Sequence, residues 1–158
     1  MAVHKFFPMF VDLNDKKAVV IGAGKIALRR INTLLKFCSD ITVIADRAEK
    51  EVHLLAESGV IKLYCRKYEH DDCKGADIVL TAADNREVNH AVFEECRELG
   101  VAVNVSDCKE ECSFYFPAVI DDDNVVIGVT ASGFDHRRAK NTAENIRKLK
   151  NEIFNTES

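Results

Sequence analysis

The run Val19-Val20-Ile21 enters Gly22-Ala23-Gly24, and a helix-compatible stretch opens at once with Lys25-Ile26-Ala27. Strand, glycine turn and helix in that order form the unit that cradles a pyrophosphate. Gly22 permits the tight turn, Gly24 lets the backbone approach the phosphates, and Ala27 keeps the helix close to the sheet. Free N–H groups and the helix dipole favour negative charge at that point. The expected cofactor contacts are therefore Gly22, Ala23, Gly24, Lys25 and Ile26. Asp46 stands 24 positions after Gly22, at the end of the next strand run. A carboxylate there accepts hydrogen bonds from the ribose hydroxyls and repels a 2′-phosphate, which favours NAD over NADP. Arg47 beside it is able to hold that phosphate and blurs the preference. The alternative for Asp46 is a helix N-cap or a solvated loop acid.

Two further clusters fall at strand ends. In Thr81-Ala82-Ala83-Asp84-Asn85 the small residues let a cofactor lie against the backbone, so Thr81 and Ala82 are expected contacts. Asp84 and Asn85 suit a helix cap. Asn104-Val105-Ser106-Asp107 ends a later strand, where the nicotinamide ring would lie. Asn104 is an expected cofactor contact. Asp107 could take or hold a proton while hydride leaves, although a loop aspartate is structural more often than catalytic. Arg137, Arg138, Lys140, Arg147, Lys148 and Lys150 make the last helix cationic, which fits a solvated face or an anionic substrate lying on Arg137 and Arg138. His4, His53, His70 and His90 join no evident constellation. The six cysteines contain no CxxC pair; Cys108 and Cys112 read as reduced loop thiols, and no metal site is expected.

The elements that must position these residues alternate. Strands are expected at 17–21, 41–45, 61–65, 77–82 and 101–105, and helices at 26–38, 49–57 and 87–99. Ile26, Leu34, Leu35 and Cys38 supply the apolar spacing of the first helix. Ser58-Gly59 and Gly100 mark helix ends. This is a Rossmann-type parallel sheet, expected to occupy residues 1–112. The apolar segment from Phe6 to Leu13 is expected to pack beside the first strand through a turn at Asn14-Asp15. Residues 113–158 read as a hairpin, 114–120 with 125–130 around Asp121-Asp122-Asp123-Asn124, followed by a helix over 136–154. Its apolar stripe is Ala139, Ala143, Ile146, Leu149 and Ile153. A hairpin alone is marginal in water, so this segment must pack on the domain or on a second subunit, and a dimer would supply a partner for the stripe.

Composition narrows the class. The chain has 158 residues, 47% hydrophobic and 30% charged, enough to bury a core. A net charge of −4 argues against nucleic acid as the partner. No run approaches the roughly 20 apolar residues of a membrane span, and the N-terminus shows no apolar leader, so a cytoplasmic protein is expected.

An ordered set of motifs then carries a resemblance over nearly the whole chain. It comprises Phe7-Pro8-Met9-Phe10, the run from Val20 to Arg30, Thr81 to Asn85 with Val88-Asn89, and Val103-Asn104-Val105-Ser106-Asp107. Cys112-Ser113-Phe114, Phe116-Pro117-Ala118 and Ser132-Gly133 complete it. In that order the chain resembles the precorrin-2 dehydrogenase domain of siroheme synthases. The resemblance implies NAD-dependent oxidation of precorrin-2 to sirohydrochlorin in siroheme biosynthesis by a homodimer, with iron insertion in some members. It places the family's key aspartate on Asp107. It also makes Ser113, Ser132, Arg137 and Arg138 candidate contacts for an acidic tetrapyrrole. The alternative is a non-catalytic module that binds NAD or a tetrapyrrole. Two departures bear on that choice. Asp135-His136 stands where the family commonly has Ser-Pro, which sets a negative charge beside the substrate contacts. The sequence also stops at Ser158, before the helical region of longer relatives, which implies a more open cleft.

Overall fold

The computed structural model of this chain describes residues 6–122, 125–132 and 135–149. By contacts the chain divides into Val11–Phe114 and a second unit that joins the N-terminal residues up to Phe10 to the chain from Tyr115 onward. Each is described by itself.

In the first unit, strands β1 (Lys17–Ala23), β2 (Asp40–Ala48), β3 (Lys62–Tyr64), β4 (Ile78–Thr81) and β5 (Ala102–Val105) pair in the order β3-β2-β1-β4-β5. Every pairing is parallel. Helices α1 (Lys25–Leu34), α2 (Lys50–Glu57) and α3 (Arg86–Leu99) supply three of the four connections. This is the expected Rossmann-type α/β sheet. Ala18 to Ala23 are all buried, so β1 shows no alternation, as befits a central strand covered on both faces. Val19, Ile21, Val79, Val92, Cys96, Val103 and Val105 close one core around it. Each fully buried valine or isoleucine contributes about 1.5–3 kcal/mol.

The helices follow the apolar periodicity with two differences. Ala27, Ile31 and Leu34 form the buried face of α1, whereas Ile26 is 49% exposed. Ile26 lies one residue, about 100° of helix turn, from Ala27 and so off that face. The helix also ends at Leu34 rather than Cys38. There the bonds tighten to i→i−3, with Lys36 N–H on Thr33 O and Phe37 N–H on Leu34 O. The buried Cys38 thiol donates to Lys16 O at 3.1 Å and fixes that end. Ser58-Gly59 ends α2 and Gly100 ends α3 as expected. At Gly100 the φ is +68°, and Val101 N–H reaches Cys96 O at 2.9 Å, the bond pair that closes helices on a left-handed residue.

In the second unit β6 (Ala118–Asp122) and β7 (Val125–Val129) pair antiparallel with Ile120 opposite Ile127. Helix α4 (His136–Lys148) contacts both strands. Ala143, at the centre of the expected stripe, is fully buried, and Arg147 donates to Val119 O at 2.9 Å. The hairpin's own helix therefore covers part of the face for which a second subunit was expected. Ile153 lies outside the described residues. The Phe6–Leu13 segment departs from expectation. Its residues up to Phe10 group with this unit, Phe6 packs edge-to-face on Tyr115 at 4.3 Å, and Phe7, Met9 and Phe10 are exposed. The turn at Asn14-Asp15 is present, with Lys16 N–H on Leu13 O. It leads into β1.

The tightest point of the first unit is Gly22. Its φ is +99°, and a Cβ there would lie 2.6 Å from the Ala82 carbonyl oxygen and 2.9 Å from Ala83 N. Ala82 N–H donates to Ile21 O at 2.8 Å, which holds the two backbones together. Gly22→Ala is expected to lower stability by about 3 kcal/mol or more, since strain at positive φ and a forced backbone shift add. Thermal denaturation reads this directly, and an unchanged midpoint would show that the turn is not held against β4.

Candidate functional site

The chain turns away from the sheet in opposite directions after β1 and after β4, and the crevice between such turns is where open α/β sheets take ligands. One wall is the start of α1. Gly24 is its N-cap, with φ −79° and no side chain to offer, and the first turn holds no acidic residue. Leu28 N–H is bonded to Gly24 O at 2.9 Å, so the N–H groups of Lys25, Ile26 and Ala27 precede the helical ladder. A Cβ on Gly24 would meet nothing within 4 Å. The backbone is thus approachable where a pyrophosphate would lie, and the residues fit a dinucleotide. Ala23 is buried under this loop, and Lys25 and Ile26 are exposed on the first turn. The exposure that takes Ile26 out of the core leaves it at the ligand edge.

Asp46 and Arg47 lie within β2 rather than after it. The register runs from Ile21↔Ile44 to Ala23↔Ala48, so β2 advances four residues while β1 advances two. The extra residues bulge, and both Asp46 and Arg47 are exposed. Asp46 is not a helix cap, since α2 is preceded by Glu49.

The other wall is built around Asn89 of α3, which is fully buried. Its Oδ1 accepts from the Thr81 hydroxyl at 2.5 Å and from Ala83 N–H at 3.0 Å. Its Nδ2 donates to Ala83 O at 3.0 Å and to Asp107 Oδ2 at 2.8 Å. Thr81, an expected cofactor contact, is fully buried with its hydroxyl committed to this knot. Ala82 and Ala83 remain half-buried at the edge, their backbone fixed from below. Asn85 is the N-cap of α3, accepting from Glu87 N–H at 2.8 Å and Val88 N–H at 3.2 Å, and the exposed Asp84 is not.

Asp107 follows β5 with its side chain 37% exposed. Besides Asn89 it meets Arg86 Nη1 at 3.3 Å. The second nitrogen of Arg86 donates to Glu111 in a short bond, and Glu111 Oε1 also lies 2.9 Å from His90 Nδ1. Glu111 is only 14% exposed. Burial pushes its carboxyl up, but the hydrogen bonds from Arg86 and His90 outweigh it and hold the group below the usual glutamate range. Arg86 is raised by the same Glu111 bond, against desolvation.

Asn104 is buried, and its Nδ2 donates to Phe114 O at 2.8 Å, which spends that donor on the returning loop. Ser113 caps the free edge of β5: its hydroxyl accepts from Val103 N–H at 2.8 Å and donates to Val103 O at 3.2 Å. The Cys112 sulfur accepts from Val105 N–H at 3.2 Å, and burial pushes its thiol up. All six cysteines are free, and the described residues hold no cluster of three metal-ligating side chains.

Gly22 to Ile26, Asp46, Arg47, Thr81, Ala82, Asn104, Asp107 and Ser113 thus all belong to the first unit. Ser132, Arg137 and Arg138 belong to the second. Ser132 adopts a φ of +53°, and Arg137 and Arg138 are exposed at the start of α4. Asp135 is the N-cap of that helix, accepting from Arg138 N–H at 2.8 Å. Arg86, Asn89, His90 and Glu111 escaped the sequence reading. Positions 86, 89 and 90 share one helix face, a visible signal, but nothing in the spacing brings Glu111 to them.

A family model described as "Putative NAD(P)-binding" matches residues 9–118. The chain is 40% identical over 144 residues to the "Probable multifunctional siroheme biosynthesis protein HemA" of Ruminiclostridium josui, covering 90% of this chain and 28% of the relative. It is 38% identical over 128 residues to the siroheme synthase of Methylococcus capsulatus, covering 81% and 27%. It therefore spans little more than a quarter of the length of these curated relatives. The solved structure of SirC, precorrin-2 dehydrogenase, superposes with a TM-score of 0.78 over 90% of this chain and 70% of that one, at 21% identity. That likeness is one of fold.

The Glu111 pairing has a consequence in acid. A carboxyl held below its unfolded value, about 4.3, contributes stability that is present above that pH and lost as pH falls through the folded value. Glu111→Gln is expected to lower the thermal midpoint at pH 7 and to flatten its decline from pH 5 into acid. Parallel decline of the two proteins over that range would refute the pairing.

Proposed function

The chain belongs to the NAD(P)-binding family, and from that premise we propose that it catalyses NAD-dependent oxidation of precorrin-2 to sirohydrochlorin. The carrying observation is the placement of Asp107, a partly exposed and doubly held carboxylate on the same sheet edge as the glycine turn. Siroheme relatives that match 81% or more of the chain support the substrate.

Gly22 to Ile26 hold the pyrophosphate, with Ala82 and Ala83 forming the opposite wall. The bound cofactor supplies a hydride acceptor at its nicotinamide ring. Oxidation by two electrons removes a hydride from one macrocycle carbon and a proton from a second position. Asp107 either takes that proton or orients the ring system for its loss to solvent. The substrate is polyanionic, and the exposed Arg137 and Arg138 supply complementary charge. Ser113 and Ser132 are secondary candidates, Ser113 with its hydroxyl already engaged in the fold. A homodimer accords with the exposed Phe7, Met9 and Phe10. No helix among the described residues is long and apolar enough to cross a membrane, which accords with a cytoplasmic setting.

An anaerobic assay with precorrin-2 and NAD, following NADH and sirohydrochlorin together, tests the reading. Equal appearance of both is expected. Asp107→Ala should reduce kcat by about a hundredfold or more while NAD binding persists. Binding of both ligands without turnover would instead establish a non-catalytic module. A loss confined to kcat assigns the proton to Asp107, and a rise in KM assigns orientation.

Asp46 in its exposed bulge is the proposed source of NAD preference. Asp46→Ala should lower the ratio of kcat/KM for NAD over NADP by about tenfold, since the repulsion of a 2′-phosphate is removed while Arg47 stays. An unchanged ratio would exclude Asp46 from the ribose site.

A further inference from the structure

We propose that Asn89 is the positioning residue of this site, orienting Asp107 and the Ala82-Ala83 turn together; the inference rests on Asp107 serving the reaction. A side-chain amide has two donors and two acceptor positions, and Asn89 uses all four. Ala83 N–H can only donate and Ala83 O can only accept, so they fix which way the amide faces. Nδ2 must then present its remaining hydrogen to Asp107 Oδ2.

Three of the four bonds stay within the Thr81–Ala83 backbone turn and its threonine, and would serve the fold alone. The fourth leaves that segment for a carboxylate on another element, 37% exposed at the ligand edge. Swinging Asp107 away would strand a donor on a fully buried amide, which is costly enough to hold the carboxylate in one orientation. Its other oxygen then faces Arg86 at 3.3 Å. The same amide sets Ala83, whose nitrogen lies 2.9 Å from where a Gly22 Cβ would stand. One side chain thus ties the position of the phosphate turn to the position of the reacting carboxylate.

Asn89→Asp removes both Nδ2 donors, the one to Asp107 and the one to Ala83 O. The introduced carboxyl keeps the acceptors for Thr81 and Ala83 N–H and sets an oxygen against both Ala83 O and Asp107 Oδ2. At alkaline pH two carboxylates face each other and Asp107 is displaced. As pH falls one proton is shared between them and the bond returns. Arg86 faces Asp107 from α3, and Glu111 and His90 lie beyond Arg86; among the described residues no titratable group other than Asp107 is bonded to Asn89. His90 is common to both proteins, so the ratio of variant to parent removes its titration.

We expect kcat of N89D to fall about tenfold to a hundredfold at pH 8, with the deficit shrinking severalfold by pH 6 and little change in KM for NAD. A deficit equal at every pH overturns the proposal; a returning Ala83 O bond would share the pH dependence, so the double variant assigns the Asp107 contact. Asp107→Ala separates the two claims. If it turns over like the parent, the reading of Asp107 fails. If it is inactive while the N89D ratio is flat, only the role of Asn89 fails. A second test needs no turnover. In the N89D background, Asp107→Asn restores a donor–acceptor pair with reversed polarity and should recover part of the lost thermal midpoint at pH 8, the Ala83 O bond staying lost. No recovery, whether or not N89D alone folds, overturns the contact.

Discussion

The close approach of the turn after β1 to the end of β4 governs the rest of the first unit. With Ala82 O only 2.6 Å from where a Cβ would stand, no side chain fits at position 22. Hydrogen bonding reinforces the contact, since Ala82 N–H continues the sheet onto Ile21 O and Ser106 N–H continues it onto Thr81 O. These bonds carry the ladder one step past the strands, so the three turns that face the ligand leave from fixed points. α1 begins three residues beyond Gly22, which aims its N-terminal N–H groups across the crevice. An adenine dinucleotide is long and needs both ends held; a rigid junction meets that need where a mobile loop would not.

Around that junction the polar groups differ greatly in weight. Lys62–Asp40 and Lys140–Glu144 are exposed pairs, and such pairs contribute about 0–1 kcal/mol. Arg86–Glu111 is another matter because Glu111 is 14% exposed and binds two partners. Breaking it would leave a poorly solvated carboxylate, so the pair holds the 3₁₀ turn Lys109–Glu111 against α3. Asp107 is placed between that latch and the buried amide of Asn89. Arg86 is shared by both acids, which draws their positive partner partly away from Asp107. The carboxylate is held in place without being wholly neutralised, a condition that suits the role proposed for it.

The parallel sheet was legible because its central strands are buried on both faces and appear as unbroken apolar runs. The caps were legible for the same local reason: Asn85 and the Ser58-Gly59 stop act within a few residues. What escaped depended on partners far along the chain. Asp46 and Arg47 read as a strand end, yet the register slip between β1 and β2 places them in a bulge that no propensity encodes. The apolar Phe7-Pro8-Met9-Phe10 read as packing for β1, but hydrophobicity alone names no partner. Asn89 was visible only as part of a resemblance. Its role needs Thr81, Ala83 and Asp107 brought to one point, and a polar residue in a helix otherwise reads as solvent-facing. Glu111 and His90, 21 positions apart, show the same limit.

The second unit shows how a departure in sequence preserves a physical role. Ser-Pro at the start of a helix is a hydroxyl N-cap followed by a residue preset for the first helical position. Asp135-His136 occupies the same two places, and Asp135 performs the capping bond on Arg138 N–H. Its negative charge is therefore directed at the helix N-terminus, where the dipole favours it by about 0.3–1 kcal/mol. The concern that this charge repels an acidic ligand weakens accordingly. Arg137 and Arg138 follow immediately and are exposed, so two cations outnumber the one carboxylate at that end. A serine would leave the end more positive by one charge, but it would cap with a weaker acceptor. The aspartate exchanges some long-range attraction, screened beyond about 8 Å in physiological salt, for a better-anchored first turn beneath the arginines. For the polycarboxylate substrate proposed above, held at short range, a fixed position of those arginines would count for more than one unit of distant field.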